Sequence, residues 1–561
     1  MAGWNFPNYR GEELLLEPVS PAWPAQIARS APGTGSVDGL GNARNPDHPS
    51  GRFRDASAPD SLWRCRTRQN LTGASLPQIR RGLARAWRLM LAQRMNEALG
   101  AIDRVERQLD DIPPTIAKRF HAATQLVQAV GFAFQDDSLA ALENALSLVR
   151  ESGASQDDHV IATLCRLGYW QLGKLEAFHA LPRQQPGARR SQSQAVSSMV
   201  DLSIEAAVAL DHLQVSTAKR LASDASAIAA ATNAPPGLAA IPACLAAQLL
   251  YEEGQLDDAS AIVRDRLPAI NAEGSIECAL RAYPLLARVA RLKGQYDHAA
   301  IVLHEAETLG ERRGWPRLVA ASVAERIALL LDAGRTQEAR LISGTLDRYA
   351  DPHHIGFGPS RTGIMRYATL ARCRVSWAES ASQEAVAAFR RLYHCVLDRR
   401  GLYAGCRLAV ELAGMLASIG ETEEADALFF QAVKSGAGAG LHQIFLEKGD
   451  ESGLLLRRAY HRAEAPGSAD REILPLIGSL LSHWNARQAT GRPEARISNM
   501  LTGRERDILG RISQGMPNKQ IARILQISPE TVKSHIKHTF LKLAVSTRAE
   551  AVSQAKSLGL M

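Results

Sequence analysis

A six-residue signature that returns at a regular step constrains this chain more than any other feature. Gly254-Gln-Leu-Asp-Asp-Ala259 recurs as Gly294-Gln-Tyr-Asp-His-Ala299, Gly334-Arg-Thr-Gln-Glu-Ala339 and Gly420-Glu-Thr-Glu-Glu-Ala425. The first three copies are forty residues apart, and eighty-six separate Gly334 from Gly420. Weaker copies end at Ala98, Ala218 and Ala385, and Gly173-Lys-Leu-Glu opens another. The copy ending at Ala385 divides the long gap into forty-six and forty. A period of this size means that most of the chain is one array of similar units.

Each unit has a physical reading. An apolar helix, such as Tyr283 to Leu292 with Pro284 in its first turn, ends at a glycine that tolerates left-handed geometry. A polar residue then starts the next helix, and the alanine lets that helix pack closely on its partner. Leucines at helical spacing follow, as in Ala299 to Leu309. The product is a helical hairpin, whose apolar face is buried only when hairpins stack. The expected fold is all-α: an α-solenoid of about nine or ten hairpins between about residues 76 and 480. Aromatic content is 5%, as close packing of helices through alanine requires.

The last sixty or so residues follow a different logic. Thr502 and Glu505 are spaced as a capping box; Ile508, Leu509 and Ile512 share one face of the helix they start, and Gly515 ends it. A second helix begins near Asn518 and points Ile521, Ala522 and Leu525 inward. Gln526-Ile527 turns the chain, and Ser528 caps a third helix with Pro529 at its first position. Val532, Ile536, Thr539, Phe540 and Leu543 form that helix's buried stripe. The opposite face carries Lys533, Ser534, Lys537 and His538, with Thr531 and the amides of the helix start placed for a phosphate. Lys519 is a further candidate phosphate contact. Two lysines one turn apart, away from the core, suit a helix lying in a major groove.

Charge points the same way. Residues 500–561 hold ten Lys or Arg against four Asp or Glu, a surplus of six in a chain whose net charge is +8. Five of the eleven lysines lie there. A basic patch confined to one small domain is the footprint of a phosphate-backbone partner.

Residues 501–561 resemble the LuxR/NarL-type helix-turn-helix, a four-helix domain. In that family, residues matching Lys533, Ser534 and Lys537 enter the major groove. The final helix, here about Thr547 to Leu558, pairs with its twin in a dimer on two half-sites. Thr547-Arg-Ala-Glu550 is a second capping box, and Ala551, Val552 and Ala555 are the expected dimer interface. Gln520 and Pro517 depart from the residues frequent in the family, away from the groove face. The array in turn resembles the tetratricopeptide-like sensor of MalT-type regulators. Ala439-Gly-Leu-His-Gln-Ile-Phe-Leu-Glu-Lys-Gly449, followed by Leu454-Leu-Leu-Arg-Arg458, is similar to their closing segment. Those regulators also carry an ATPase module. This sequence contains no Gly-x-x-x-x-Gly-Lys-Ser/Thr loop, and Gly33-Thr-Gly35-Ser lacks the lysine, so no nucleotide or other cofactor is expected.

The remainder is quieter. Residues 1–75 are rich in Pro, Gly, Ser and Asn without periodicity, and are expected to be disordered. A linker is expected over 484–498, on the strength of Gly491 and Pro493, between a sensor spanning 76–483 and a DNA-binding domain spanning 499–561. No secretory leader or membrane-spanning run is legible, which points to the cytoplasm. The seven cysteines, Cys65 among them, are scattered and form no Cys-x-x-Cys pair, so buried thiols are expected rather than a metal. His353 and His354, and the elbow Glu311-Arg-Arg-Gly-Trp315-Pro, read more readily as turns than as ligand sites. No catalytic constellation stands out.

These features describe a bacterial-type, non-enzymatic transcription regulator that binds DNA under the control of a helical-repeat sensor. The expected partners are double-stranded DNA in its major groove, a second copy on DNA, a small-molecule or protein effector on the solenoid, and RNA polymerase. The competing expectation is an α-solenoid scaffold whose C-terminal module binds DNA weakly or not at all.

Overall fold

A computed structural model describes residues 76–152, 158–181, 192–350, 359–398, 401–448, 450–465, 470–490 and, with short gaps between 526 and 546, 503–557. Every regular element among them is helical. Ten successive pairs make up the array among the described residues: α1 (Leu76–Leu91) and α2 (Met95–Leu109); α3 (Pro114–Phe134) and α4 (Ser138–Ser152); α5 (Asp158–Gln171) and α6 (Leu175–Ala180); α7 (Gln192–Asp211) and α8 (Val215–Thr232); α9 (Pro236–Glu252) and α10 (Leu256–Glu273); α11 (Ile276–Leu292) and α12 (Tyr296–Arg313); α13 (Pro316–Asp332) and α14 (Thr336–Ala350); α15 (Pro359–Glu379) and α16 (Gln383–Asp398); α17 (Leu402–Ser418) and α18 (Thr422–Ala432); α19 (Asp450–Glu464) and α20 (Leu474–Thr490). This is the helical solenoid expected from the repeats. The proposed disordered lead-in, Cys65 and the His353-His354 pair lie outside the described residues.

The repeated signature is a turn. At Gly294 (φ +74°) the chain turns left-handed. Its N–H donates to the Arg291 carbonyl at 2.9 Å and the Gln295 N–H to the Ala290 carbonyl at 2.8 Å, which satisfies two orphan carbonyls at the end of α11. The same pair of bonds recurs at Gly173, Gly254, Gly334 and Gly420. It recurs too at Gln93 (φ +55°) and Leu213 (φ +60°), where the signature was weak. Five residues after the turn stands the alanine: Ala98, Ala218, Ala259, Ala299, Ala339 and Ala425 are all fully buried. Asp136 (φ +65°) begins a further copy ending in the buried Ala141, which the sequence had not disclosed because an aspartate holds the glycine's place. In the copy that opens at Gly173, Phe178 occupies the alanine position, and its helix α6 is only six residues long.

Two expectations about helix limits are corrected. Helix α11 begins at Ile276, so Pro284 stands in its middle rather than in its first turn. Helix α11 packs on α9, α12 and α13, and Pro284 is itself buried, so tertiary packing offsets the lost backbone bond. The linker expected from residue 484 is helical as far as Thr490. Trp484 anchors that turn: it is buried, Arg457 lies 5.0 Å from its ring, and a Cβ on Gly453 would come within 2.3 Å of it. Glycine at 453 is what lets the indole approach α19. The rest of the expected linker, 491–498, lies outside the described residues.

The first helices of consecutive pairs, α9, α11, α13 and α15, pack on one another and form the inner wall. Units far apart in the chain also touch. Gln93 Nε2 donates to the Gly274 carbonyl at 2.6 Å, and Trp315 Nε1 to the Phe134 carbonyl at 2.8 Å. The elbow at Trp315 is therefore an inter-helix turn with its indole buried at this seam. On the other side α7 contacts α17, and the His442 N–H donates to the Glu252 carbonyl at 2.7 Å. The segment 441–448 thus closes the array, with Leu441, Ile444 and Phe445 buried.

Candidate DNA-binding domain and the charged lumen

The C-terminal domain is built from α21 (Gly503–Ser513), α22 (Asn518–Leu525), a third helix containing Val532, Lys533, Ile536, Thr539 and Phe540, and α23 (Arg548–Ser557). Gly515 (φ +78°) ends α21, and the Met516 N–H closes onto the Arg511 carbonyl. Ile508, Ile512, Ile521, Ala522, Val532 and Ile536 form one buried cluster, so the three helices meet through the stripes read from the sequence. Ala522 is the small residue at the crossing of α22. Ser528 starts the third helix, its carbonyl accepting the Val532 N–H at 3.1 Å. Thr547 and Glu550 cap each other reciprocally, at 3.1 and 3.2 Å, as their spacing predicted. Thr502, half of the first proposed box, lies outside the described residues.

Lys533 is exposed one residue after the buried Val532, and Lys519 is exposed on α22. Thr531, Ser534, Lys537 and His538 lie outside the described residues. The last helix requires a correction. Ala551 and Ala555 are fully buried within the chain, clustered with Leu509 of α21 and flanked by Phe540 and Val545. Their small size brings α23 close to its own domain. Val552 is half-buried, and Ala549 and Ser553 beside it are exposed. Positions 549, 552 and 553 share one helical face.

The inner wall of the array holds a site that sequence reasoning missed. Glu277, Arg281, Arg288 and Arg291 recur along one face of α11. At one end Arg317 of α13 bridges Glu277 and Asp136, at 2.6 and 2.7 Å, and Gln171 donates to Glu277 at 3.0 Å. At the other end Arg288 pairs with Glu325, Arg291 with Asp332 at 2.8 Å, and Arg407 with Glu252 at 3.3 Å and Glu447 at 2.7 Å. Arg374 and Lys448 hold Glu411. Burial opposes the charge on Glu277, Glu325 and Glu447, but neighbouring arginines outweigh it and bring each carboxyl down to about 2. Ion pairs therefore run along this face of α11 and join it to α13, with a further pair between α17 and α9. Among the described cysteines, Cys165, Cys244, Cys278, Cys373 and Cys406 are buried, while Cys395 is exposed. Burial pushes the Cys165 thiol up to about 12, which keeps it protonated and unreactive.

Residues 499–555 match the model of the family described as bacterial regulatory proteins, luxR family. The C-terminal domain is a LuxR-family helix-turn-helix. The nitrate/nitrite response regulator protein NarL of Escherichia coli is 44% identical over 96 residues, which are 17% of this chain and 42% of NarL. The HTH-type transcriptional regulator MalT of Vibrio cholerae is 24% identical over 337 residues, 56% of this chain and 35% of that protein. This chain therefore spans less than half the length of these relatives. A crystal structure of a Rap protein complexed with competence and sporulation factor superposes with a TM-score of 0.50 at 12% identity, covering 65% of this chain and 98% of that one. That likeness extends the helical-repeat fold beyond the LuxR-type domain and speaks of fold alone. No described helix is long and apolar enough to cross a membrane.

Proposed function

We propose that the chain is a sequence-specific, non-enzymatic transcription regulator in which the LuxR-type domain reads DNA and the helical array senses an effector. The observation that carries the reading is the match of residues 499–555 to the LuxR family, joined to a third helix that buries Val532 and Ile536 while exposing Lys533. Lys533, Ser534 and Lys537 are the proposed base readers, with His538 beside them. Lys519 and Thr531 are proposed to hold phosphates. On DNA the domain pairs with a second copy through Val552, Ala549 and Ser553, the outward face of α23. The proposed working compartment is the cytoplasm, where DNA and RNA polymerase are to hand. The boundaries proposed for the parts are 76–490 for the array and 499–561 for the reader.

The test starts with the full chain incubated with sheared genomic DNA, followed by sequencing of the retained fragments and footprinting of the strongest. One protected element with two half-sites is expected. Ser553→Glu should abolish joint occupancy of the half-sites, since two carboxylates would face each other across the dimer axis. Retention without any common element would overturn the reading and favour a scaffold.

A further inference from the structure

Glu447 stands in the non-helical stretch between the short turn Gln443–Phe445 and α19, yet four side chains from three helices converge on its carboxylate. Arg407 of α17 lies at 2.7 Å and Arg291 of α11 at 3.9 Å; Arg288 acts on it electrostatically, and the Tyr251 hydroxyl of α9 donates to it. All three arginines already have a carboxylate on a helix: Glu325 for Arg288, Asp332 for Arg291 and Glu252 for Arg407. Glu252 is a special case. Burial pushes its carboxyl up and Glu447 adds to this, with Arg407 opposing. Its Oε2 is buried and meets no hydrogen-bonding partner among the described residues. Glu447 is the nearer partner of the Arg407 guanidinium, at 2.7 Å against 3.3 Å for Glu252.

The arginines keep between 14% and 23% of their side-chain surface exposed, whereas Glu447 keeps 6%. The cage is therefore open to solvent past its own guanidiniums, while its occupant sits inside. The occupant belongs to the segment 441–448 that closes the array and leads into α19 and α20. The chain is irregular in it and just before it: a π-helical turn at Val433–Ala437, Gly440 at φ +97° and the short turn at Gln443–Phe445. Its release unwinds no long helix, though it uncovers Leu441, Ile444 and Phe445.

We propose that Arg288, Arg291, Arg407 and Tyr251 form a binding site for a carboxylate-bearing effector, which Glu447 occupies in cis. The effector takes the place of Glu447, and the closing segment is released toward the α19–α20 pair. This names the ligand class and the coupling for the sensor proposed above, and rests on that reading only for its biological meaning. The ligand shifts the equilibrium because it binds the open arrangement and not the latched one.

The experiment uses the full chain without DNA, so its failure is separate from failure of the regulator reading. Glu447→Ala vacates the cage, and acetate is the probe, with chloride at matched ionic strength as reference. Acetate is expected to raise the unfolding temperature of E447A saturably. It should not do so in the double variant E447A/R407M, and in the chain with Glu447 in place it should speed amide exchange in 441–448 by about tenfold, as the displaced segment is released. Equal response to acetate and chloride would overturn the site, as would a response that survives in the double variant. A larger response to inorganic phosphate than to acetate would overturn the carboxylate class. Should E447A not fold, Glu447→Gln keeps the volume and removes the charge. Exchange in 441–448 is then expected to rise about tenfold, and unchanged exchange there would sink the latch.

Discussion

In the array, an alanine and a left-handed turn come back every forty or so residues, and the apolar packing is nearly the same at each return. In the C-terminal domain nothing repeats, and each residue of the Ile508, Ile521 and Val532 core is needed at one place. The two regions also treat charge differently. The array draws its arginines and carboxylates inward, where they join units as much as 181 residues apart, as Arg317 and Asp136 show. The C-terminal domain keeps an apolar centre and puts Lys519 and Lys533 outside. Charge drawn inside joins distant units of the array, and charge in the C-terminal domain stays at its surface.

The largest expected consequence of that contrast is acid sensitivity confined to the array. Glu277, Glu325 and Glu447 have folded carboxyls near 2, below the value of about 4.3 in an unfolded chain. Their contribution to stability is present above the unfolded value and is lost as pH falls through it toward the folded one. Asp211, Glu252 and Glu307, raised by burial, act in the opposite sense, but Glu411 and Asp257 join the lowered group, so five carboxyls oppose three. Amide exchange followed from pH 6 down to about pH 3 should show the array opening while peptides from 503–557 stay protected. Simultaneous opening of both regions would break the comparison.

Next in size is Arg317→Met. It leaves Asp136 and Glu277 facing each other without the guanidinium that bridges them, both largely buried. Removing one partner of a buried pair costs about 3–5 kcal/mol. Urea unfolding monitored through the Trp315 region should report a loss of that order. A loss below about 1 kcal/mol would mean that the seam behaves like a solvated surface pair.

These two regions were legible to different degrees, for physical reasons. The hairpins could be read because a left-handed cap and a close helix crossing each demand a particular residue locally: glycine at 294, alanine at 299. Copies that use Gln93, Asp136 or Leu213 at the turn faded, since a strained non-glycine residue leaves no local mark when packing enforces its geometry. The ion pairs of the inner wall left none at all. Asp136 and Arg317 are 181 residues apart, and neither has an unusual neighbour in sequence. In the C-terminal domain the caps and core stripe were legible for the same local reason as the hairpins. The role of the small residues in the last helix was less legible, because a small residue reports a close approach without saying to what. Ala551 and Ala555 approach Leu509 of their own domain.

A third, smaller effect sharpens the outward half of the comparison. Lys533→Ala should cost about 1–3 kcal/mol on the selected element if Lys533 makes a base contact, and relax preference at one position. Lys519→Ala should weaken all sequences alike and reduce the salt slope by about one charge. Titrations at two salt concentrations separate the two. If both variants lowered affinity without changing preference, the groove face would have to be reassigned.

The smallest effect tests whether the degenerate turns are held by the array or merely tolerated in it. Leu213 sits at φ +60° and makes the same two turn bonds as the glycines, its N–H to the Leu210 carbonyl at 2.9 Å and the Gln214 N–H to the Ala209 carbonyl at 2.8 Å. A left-handed residue with a branched side chain costs about 1–2 kcal/mol that glycine avoids. Against this, glycine adds entropy to the unfolded chain, and the partly buried leucine packs on the neighbouring core. Leu213→Gly is therefore expected to gain no more than about 1 kcal/mol, while Gly294→Leu, the reverse change at φ +74°, should lose about 1–2. Opposite signs for the pair, read as shifts in urea midpoint at unchanged slope, would mean that turn geometry and not side-chain identity is what the repeat preserves. A loss in both would show that Leu213 serves the array through packing, and that this copy has exchanged its turn residue for a core contact.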